Sequence, residues 1–361
     1  MKTSHSKLKL MKKEFPQNNL DIPTLSSGYF DCWRMIQNNL DDFNIFIIIG
    51  GRRLGKTYSC IKGLIEENKQ HMYVRRTDAD LQECLTVKKN PYRALKENEG
   101  IDVRIVASGK ETNVVLFDEN EEPQEFLGIA SSVSTSGSVR GAYLEDIEYL
   151  LYDEFINLKP INTLKKKEGN LFLDLYDTAN NDRDLRGKQP LKAILLSNAN
   201  TTDDGIIRTL KLGNIIYKMI ENNQQYYGDY ERKIYIALLP NDNLITQKRK
   251  SGAIGKLTNG TSYGDMAMEN TFVGSYFGDV KNKVNYSEYN PICAYNNIYF
   301  YRAKMDGHLL ASYRKANCTK YTTNTFKKFK RDFGMLIGLQ YESGKMRYQN
   351  YDIKLDVMNI F

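Results

Sequence analysis

Residues 50–57 read Gly50-Gly51-Arg52-Arg53-Leu54-Gly55-Lys56-Thr57, and this motif governs the interpretation of the whole chain. It fits G-x-x-x-x-G-K-[ST], in which backbone N–H groups cradle phosphates, the lysine reaches the β- and γ-phosphates and the hydroxyl binds Mg²⁺. An apolar, β-branched run precedes it, and the residues after it can form a helix. This strand–turn–helix context favours a phosphate-binding P-loop over a glycine-rich turn that binds nothing. We therefore expect ATP and Mg²⁺ as cofactors, all eight residues at the nucleotide and Thr57 at the metal.

A second motif, EYLLYDE at residues 148–154, is an apolar strand that ends in two acids. Asp153 is placed to hold Mg²⁺, directly or through water, and Glu154 to orient and deprotonate an attacking water. Such an ending on an isolated strand is more often a solvated strand end, but a P-loop upstream favours the Walker B interpretation. The second acid favours a hydrolase over a P-loop kinase, which must exclude water.

A third apolar strand, KAILLSN at residues 192–198, also has a polar tip. The carboxyl ends of neighbouring parallel strands converge on the ligand crevice of an α/β sheet. Ser197 and Asn198 are therefore predicted to sense the γ-phosphate or the attacking water. The alternative is a plain turn after a strand.

The composition bounds the class of protein. The chain has 361 residues, is 41% hydrophobic and carries a formal charge of +7, which suggests two domains and permits a polyanionic partner. No apolar run reaches the roughly 18 residues of a membrane span, and the basic start has no secretory h-region. Five scattered cysteines are predicted to be reduced thiols of a cytosolic protein.

Turn signals divide the chain into three parts. Residues 1–243 are predicted to form an α/β P-loop domain with a mostly parallel sheet and helices on both faces, preceded by a basic arm at 1–20. Three short strands between residues 101 and 130 extend that sheet. Proline and asparagine at 240–243 mark its end, residues 244–277 read as a structured linker, and residues 278–361 as a small α+β domain with a hairpin turn at Met305-Asp306-Gly307.

Several motifs together resemble the DNA-packaging (encapsidation) ATPase of phi29-like tailed phages, an ASCE P-loop ring motor related to terminase large subunits. They are GGRRLGKT, YVRR, YLLYDEF, ILLSNA and, most specifically, NGTSYGDM at residues 259–266. The resemblance runs through most of the chain. It implies a RecA-like ATPase domain, a linker and a vestigial RNase H-like nuclease domain.

The resemblance also implies partners. It implies a homomeric ring of five subunits that docks transiently on the portal of a procapsid in the host cytoplasm. The ring would pump double-stranded DNA inward by hydrolysing ATP, with a structural RNA as a further candidate partner. No membrane partner is expected.

Ring motors of this kind complete each site with an arginine from the neighbouring subunit. After Asp177-Thr178 the sequence reads ANNDRDLR, in which Asn181 replaces the first arginine that the resemblance implies and Arg183 aligns with the second. Arg183 is therefore the predicted finger. Arg186 is the reserve, and Arg140, thirteen residues before Asp153, is a third arginine that could reach the neighbour. The alternative for each of them is a surface salt bridge.

Nuclease chemistry of the RNase H type needs clustered carboxylates that hold two metals. The acids in the C-terminal region are scattered through the sequence: Asp279, Asp306, Asp352 and Asp356. We therefore predict no nuclease activity. DNA contacts are expected at phosphates only, from two basic groups. These groups are Lys248, Arg249, Lys250 and Lys256, and Lys327, Lys328, Lys330 and Arg331.

Two other functions fit the sequence less well. One is a terminase-type enzyme that packages DNA and also cuts it. The other is an assembly protein that binds nucleotide or nucleic acid without hydrolysis. Plasmid cleavage would distinguish the first, and a lack of ATPase activity the second.

Overall fold

The computed structural model describes residues 22–109, 111–135, 144–156, 167–180, 183–241, 244–261, 264, 272 and 277–360. The chain divides into two compact units. Unit 1 comprises Met1–Asn157, Leu171–Asn200 and Met219–Thr271, and unit 2 comprises Leu158–Asn170, Thr201–Lys218 and Phe272–Phe361. Most of the predicted linker thus falls in unit 1, while the domain bounds given above stay a prediction.

The strands and helices are named here in chain order. The strands are β1 (Ile45–Gly50), β2 (His71–Arg75), β3 (Asp102–Ser108), β4 (Glu111–Phe117), β5 (Pro123–Ser132), β6 (Tyr149–Asp153), β7 (Lys192–Asn198), β8 (Tyr226–Asp229), β9 (Ile234–Leu238), β10 (Tyr289–Tyr295), β11 (Ile298–Ala303), β12 (Leu309–Ser312), β13 (Thr319–Tyr321) and β14 (Met346–Tyr348). The helices are α1 (Cys32–Gln37), α2 (Lys56–Glu66), α3 (Asp78–Cys84), α4 (Arg93–Glu99), α5 (Glu168–Asn180), α6 (Gly205–Thr209), α7 (Gly213–Glu221), α8 (Leu244–Ser251), α9 (Ala253–Thr258), α10 (Phe326–Phe329), α11 (Met335–Glu342) and α12 (Tyr351–Met358).

The sheet of unit 1 has nine strands in the order β3-β4-β5-β2-β6-β7-β1-β9-β8. The six central strands, in the spatial order β5-β2-β6-β7-β1-β9, run parallel to one another. Antiparallel strands extend both edges: β4 and then β3 beside β5, and β8 beside β9. The predicted extension by three strands and the large, mostly parallel sheet are therefore confirmed. Strand β7 lies between the P-loop strand β1 and the Walker B strand β6, so the carboxyl ends of all three meet at one edge.

Burial explains why β1 is so uniformly apolar. Every residue of β1 is buried, which requires cover on both faces of the sheet. Helices α1 and α2 supply part of this cover, and they approach so closely that a Cβ on Gly63 would lie 2.1 Å from the Trp33 ring. A glycine is needed there, and this close contact fixes the position of α2. The first turn of α2 carries Lys56 and Thr57.

Unit 2 contains a five-stranded mixed sheet in the order β13-β10-β11-β12-β14. Strands β10, β11 and β12 are antiparallel neighbours, and β13 and β14 add parallel edges. The predicted turn joins β11 to β12, where Gly307 has φ +74° and Asp306 accepts a hydrogen bond from the backbone N–H of His308. In the described ranges, no helix has the length and apolar character needed to cross a membrane.

A buried histidine makes the stability of unit 1 sensitive to acid. His71 Nδ1 lies 3.0 Å from the Lys69 carbonyl, which can only accept, so Nε2 accepts from the Tyr92 hydroxyl at 2.6 Å. Burial lowers the pKa of His71 from 6.5 to about 4. The unfolded chain therefore binds a proton between these two pH values that the folded chain does not.

We expect the free energy of unfolding to fall by roughly 3 kcal/mol through His71 alone as the pH drops from 6.5 to 4. His71→Gln keeps an amide near Tyr92 but has no group that titrates. The free energy of unfolding of this variant should therefore fall by roughly 3 kcal/mol less than that of the wild type between pH 6.5 and 4. Denaturation followed by the fluorescence of Trp33, the single tryptophan, measures the difference. Equal slopes for both proteins would contradict the assignment.

Candidate active site

The P-loop connects the end of β1 to the start of α2, and two glycines are required by its geometry. Gly55 has φ +96°, and a Cβ there would lie 2.8 Å from Cβ of Tyr29. A Cβ on Gly50 would lie 2.8 Å from Cβ of Leu239. No larger residue fits either position without movement of the loop. The predicted motif thus has the backbone conformation and the close packing that its glycines imply.

Lys56 lies in the centre of this loop. Its Nζ donates to the carbonyl of Gly50 at 3.0 Å, to that of Gly51 at 2.7 Å and to Oδ1 of Asn198 at 3.3 Å. Burial lowers the pKa of Lys56 to about 8, and the charges of Asp153 and Glu154 oppose this shift. The amine is therefore mostly charged at neutral pH, with oxygen acceptors arranged around it. These residues fit a phosphate group, whose oxygens are stronger acceptors for the same three protons.

Thr57 and Asp153 form the candidate metal site. The Thr57 hydroxyl donates to Asp153 Oδ1 at 2.9 Å, and the Tyr73 hydroxyl donates to Oδ2 at 3.2 Å. Burial raises the pKa of Asp153, and the nearby Arg75 guanidinium opposes the rise. A hydroxyl and a carboxylate side by side are the hard oxygen ligands that Mg²⁺ prefers, with most of its remaining ligands left to water and phosphate. The side chains present therefore fit the predicted ion.

Glu154 follows Asp153 in a left-handed backbone conformation, φ +56°. Its side chain is 58% exposed and accepts a hydrogen bond from Nη2 of Arg75 at 2.8 Å, while Nη1 of Arg75 lies 3.7 Å from Asp153. A carboxylate at this position can accept a proton from a water molecule once it turns away from Arg75. No role for Arg75 was predicted from the sequence. The motif YVRR could have indicated this role. A charged residue at the end of a buried strand lies beside the ends of the neighbouring strands, and β6 is a neighbour of β2.

The two polar residues at the end of β7 have different surroundings. Asn198 contacts Lys56, as predicted for a residue near the phosphates. Ser197 does not: its hydroxyl accepts from the backbone N–H of Ile156 at 3.2 Å, and only 2% of it is exposed. Successive strand residues point to opposite faces, so the two cannot enter one crevice together. The predicted contact of Ser197 with nucleotide is corrected to a role in holding the chain after β6.

Comparison with known proteins places this arrangement in a family. The profile of the family described as "Podovirus DNA encapsidation protein (Gp16)" matches residues 26–353. The chain belongs to this family.

The relatives that this chain matches are distant. The DNA packaging proteins of Bacillus phages phi29 and PZA are each 23% identical to it over 231 residues, which cover 63% of the chain and 61% of theirs. The DNA packaging protein of Bacillus phage B103 is 22% identical over 230 residues and 63% of both chains. The match thus spans less than two thirds of the length of these relatives.

Solved structures support the fold. A chain of "The bacteriophage Phi-29 viral genome packaging motor assembly" has a TM-score of 0.61 at 19% identity, over 92% of this chain and 98% of that one. A chain of "The Phi-28 gp11 DNA packaging Motor" has a TM-score of 0.55 at 16% identity, over 90% and 95%. These structures show the fold, and the profile match over residues 26–353 confirms the predicted family.

The arginine predicted to act on a neighbouring subunit is committed within its own chain. Arg183 Nε donates to the carbonyl of Gln189 at 2.8 Å, and Nη1 donates to those of Ile147 at 2.8 Å and Glu145 at 3.2 Å. Only 9% of Arg183 is exposed. To reach a neighbour, Arg183 would have to give up these three hydrogen bonds, which favours Arg186 or Arg140 for that role.

The two other predicted arginines differ from Arg183. The Arg186 side chain is 45% exposed, and its Nη1 lies 3.8 Å from Glu145 Oε1, so its guanidinium can reach outward. Arg140 lies outside the described residues. Both of them stay predictions for the arginine that reaches a neighbouring subunit.

The acids of the C-terminal region pair with side chains and backbone groups of the protein. Asp279 pairs with the Lys354 ammonium at 2.8 Å, and Asp356 accepts from the Tyr313 hydroxyl at 2.6 Å. Asp352 Oδ1 accepts from the backbone N–H of Asn214 at 3.2 Å. Within the part of the chain that the structure describes, no three His, Cys, Asp or Glu side chains are grouped as a metal site.

Proposed function

We propose that this chain is the ATP-hydrolysing subunit of a motor that moves double-stranded DNA into a viral procapsid. One observation carries the proposal: Lys56, Thr57, Asp153, Glu154 and Asn198 converge where the carboxyl ends of β1, β6 and β7 meet. Family membership and the fold support the packaging role. The names of the phi29, PZA and B103 relatives, DNA packaging proteins, support the choice of DNA.

The side chains suggest a division of labour in hydrolysis. Bound Mg²⁺ would neutralise charge on the phosphates and polarise the terminal one. Lys56 orients the phosphates and offsets their charge through donors that contact loop carbonyls in this structure. Glu154 accepts at its carboxylate the proton of the attacking water. An arginine from the next subunit, Arg186 or Arg140, completes the site.

Unit 2 is proposed to serve docking rather than cutting. Three described acids of this region, Asp279, Asp356 and Asp352, are engaged with Lys354, Tyr313 and a backbone N–H, which favours a unit without nuclease activity. A vestigial RNase H-like origin remains part of the proposal, as do the portal, the ring of five and a structural RNA as partners. The proposed location is the host cytoplasm, in transient contact with the procapsid.

DNA contacts are proposed at phosphates, because a motor must act on any sequence. Exposed cations of α8 and α9, Lys248 and Lys256, are suited to this role. In unit 2, Lys327 and Lys328 in α10 and Arg331 just after it offer a second exposed group. Binding through such contacts falls steeply with salt and is indifferent to base sequence.

The decisive experiment measures Mg²⁺-dependent ATP hydrolysis by the full chain over a range of protein concentrations, with and without double-stranded DNA. We expect turnover per molecule to rise with concentration and with DNA, since a ring must assemble to complete each site. Turnover that is independent of both would contradict the motor. Absence of hydrolysis would favour a nucleotide-binding assembly protein, and cleavage of plasmid with Mg²⁺ or Mn²⁺ would favour a terminase that also cuts DNA.

A further inference from the structure

Helix α8 lies against the P-loop, although the sequence suggested only a linker. A Cβ on Gly28, which has φ +86°, would lie 3.6 Å from Ile245 of α8. The next two residues support the second half of the loop: Tyr29 lies against Gly55, and the backbone N–H of Phe30 donates to the carbonyl of Leu54 at 3.0 Å. Residues 28–30 therefore connect α8 mechanically to the phosphate-binding turn.

A second contact joins α8 to the first half of the loop. Arg249, in the last turn of α8, donates from Nη1 to the backbone carbonyl of Arg52. This carbonyl follows directly on those of Gly50 and Gly51, which hold the Lys56 amine. In P-loops that amine reaches the β- and γ-phosphates. The Arg249 guanidinium therefore lies at the part of the loop where the terminal phosphate of a bound nucleotide is expected.

Several cations lie around the loop, together with the acids Asp153 and Glu154. The positive charge of Arg249 contributes, after burial, to lowering the pKa of Lys56, so the two cations repel each other. Arg52 and Arg53 add two more cations to the same turn. A triphosphate between these groups would turn repulsion into attraction, and a guanidinium presents five donors suited to phosphate oxygens.

We propose that Arg249 is a further nucleotide-binding residue, which transfers its guanidinium from the Arg52 carbonyl to the terminal phosphate of ATP. The inference rests on the proposed function. It adds that the contact between α8 and the P-loop changes when the terminal phosphate is bound. Helix α8 also carries the DNA-contact candidate Lys248. ADP, which lacks the phosphate, leaves Arg249 on the carbonyl.

The test compares ATP and ADP affinities, measured with Mg²⁺ by displacement of a fluorescent N-methylanthraniloyl-ADP from the full chain. We expect Arg249→Ala to weaken ATP binding about tenfold, the loss of one charge-assisted hydrogen bond, and to change ADP binding by less than about a factor of two. Arg249→Lys keeps the charge and should recover part of the preference. Lys88→Ala, which removes one exposed charge after α3, should leave both affinities unchanged.

The ratio of the two affinities makes the outcome independent of the amount of folded protein. Equal weakening of ATP and ADP by Arg249→Ala would show that Arg249 only anchors α8, and would overturn the proposal. Unchanged affinities would overturn it as well. If the wild type hydrolyses ATP but the ratio does not respond, only the assignment of Arg249 fails, whereas a wild type that binds neither nucleotide refutes the proposed function itself.

Discussion

Glu154→Gln should reduce the kcat for ATP hydrolysis by about 10²–10⁴-fold, the usual contribution of a general base. The amide has nearly the same shape as the carboxylate but cannot accept a proton from water. The candidate phosphate-binding groups Lys56 and Thr57 hydrogen-bond to loop carbonyls and to Asp153. ATP affinity should therefore remain close to that of the wild type, so binding and steady-state hydrolysis must be measured on the same preparation.

The matched control for this prediction is Glu148→Gln. Glu148 lies just before β6, at the end opposite Glu154, and its exposed side chain forms a 3.4 Å ion pair with Lys69. An exposed pair of this kind contributes about 0–1 kcal/mol, so neither hydrolysis nor folding should change noticeably. Retention of more than a tenth of the activity in Glu154→Gln would mean that another group activates the water.

The predictable part of this site is the part whose chemistry lies in neighbouring residues. The P-loop, the acids at the end of β6 and Asn198 at the end of β7 are all recognisable because polar residues interrupt apolar strands at their tips. The parallel order β6-β7-β1 then brings these tips together without any further information. Strand β8 was missed because it has four residues, lies at the edge and alternates little in burial.

Side-chain partners could not be predicted, because they depend on distances between segments far apart in sequence. Arg75 and Arg183 are both arginines near the end of an element, yet Arg75 faces Asp153 and Glu154 and Arg183 is buried against carbonyls. Arg249 looked like one of four linker cations until its contact with Arg52 set it apart. Only the folded arrangement distinguishes an arginine that binds a ligand from one that holds the chain together.

Arg183→Ala tests that distinction in terms of stability. Removing the guanidinium leaves the carbonyls of Glu145, Ile147 and Gln189 without this donor, and an unpaired buried polar group costs about 1–3 kcal/mol. We expect the free energy of unfolding of unit 1 to fall by about 3 kcal/mol, which corresponds to a thermal midpoint roughly 6–12 °C lower for a unit of this size. Trp33 fluorescence reports the transition.

Arg186→Ala is the comparison that separates an architectural arginine from a catalytic one. Arg186 makes one long, exposed ion pair, so its removal should change stability by less than about 1 kcal/mol. If Arg186 acts on the neighbour, this variant loses hydrolysis but keeps the wild-type thermal midpoint. Mixing it with Glu154→Gln should then restore some turnover, because in a mixed ring one variant supplies Glu154 and the other supplies Arg186. If Arg183→Ala instead keeps the wild-type thermal midpoint and loses hydrolysis, Arg183 is the arginine that acts on the neighbour. Its three hydrogen bonds would then contribute little to stability.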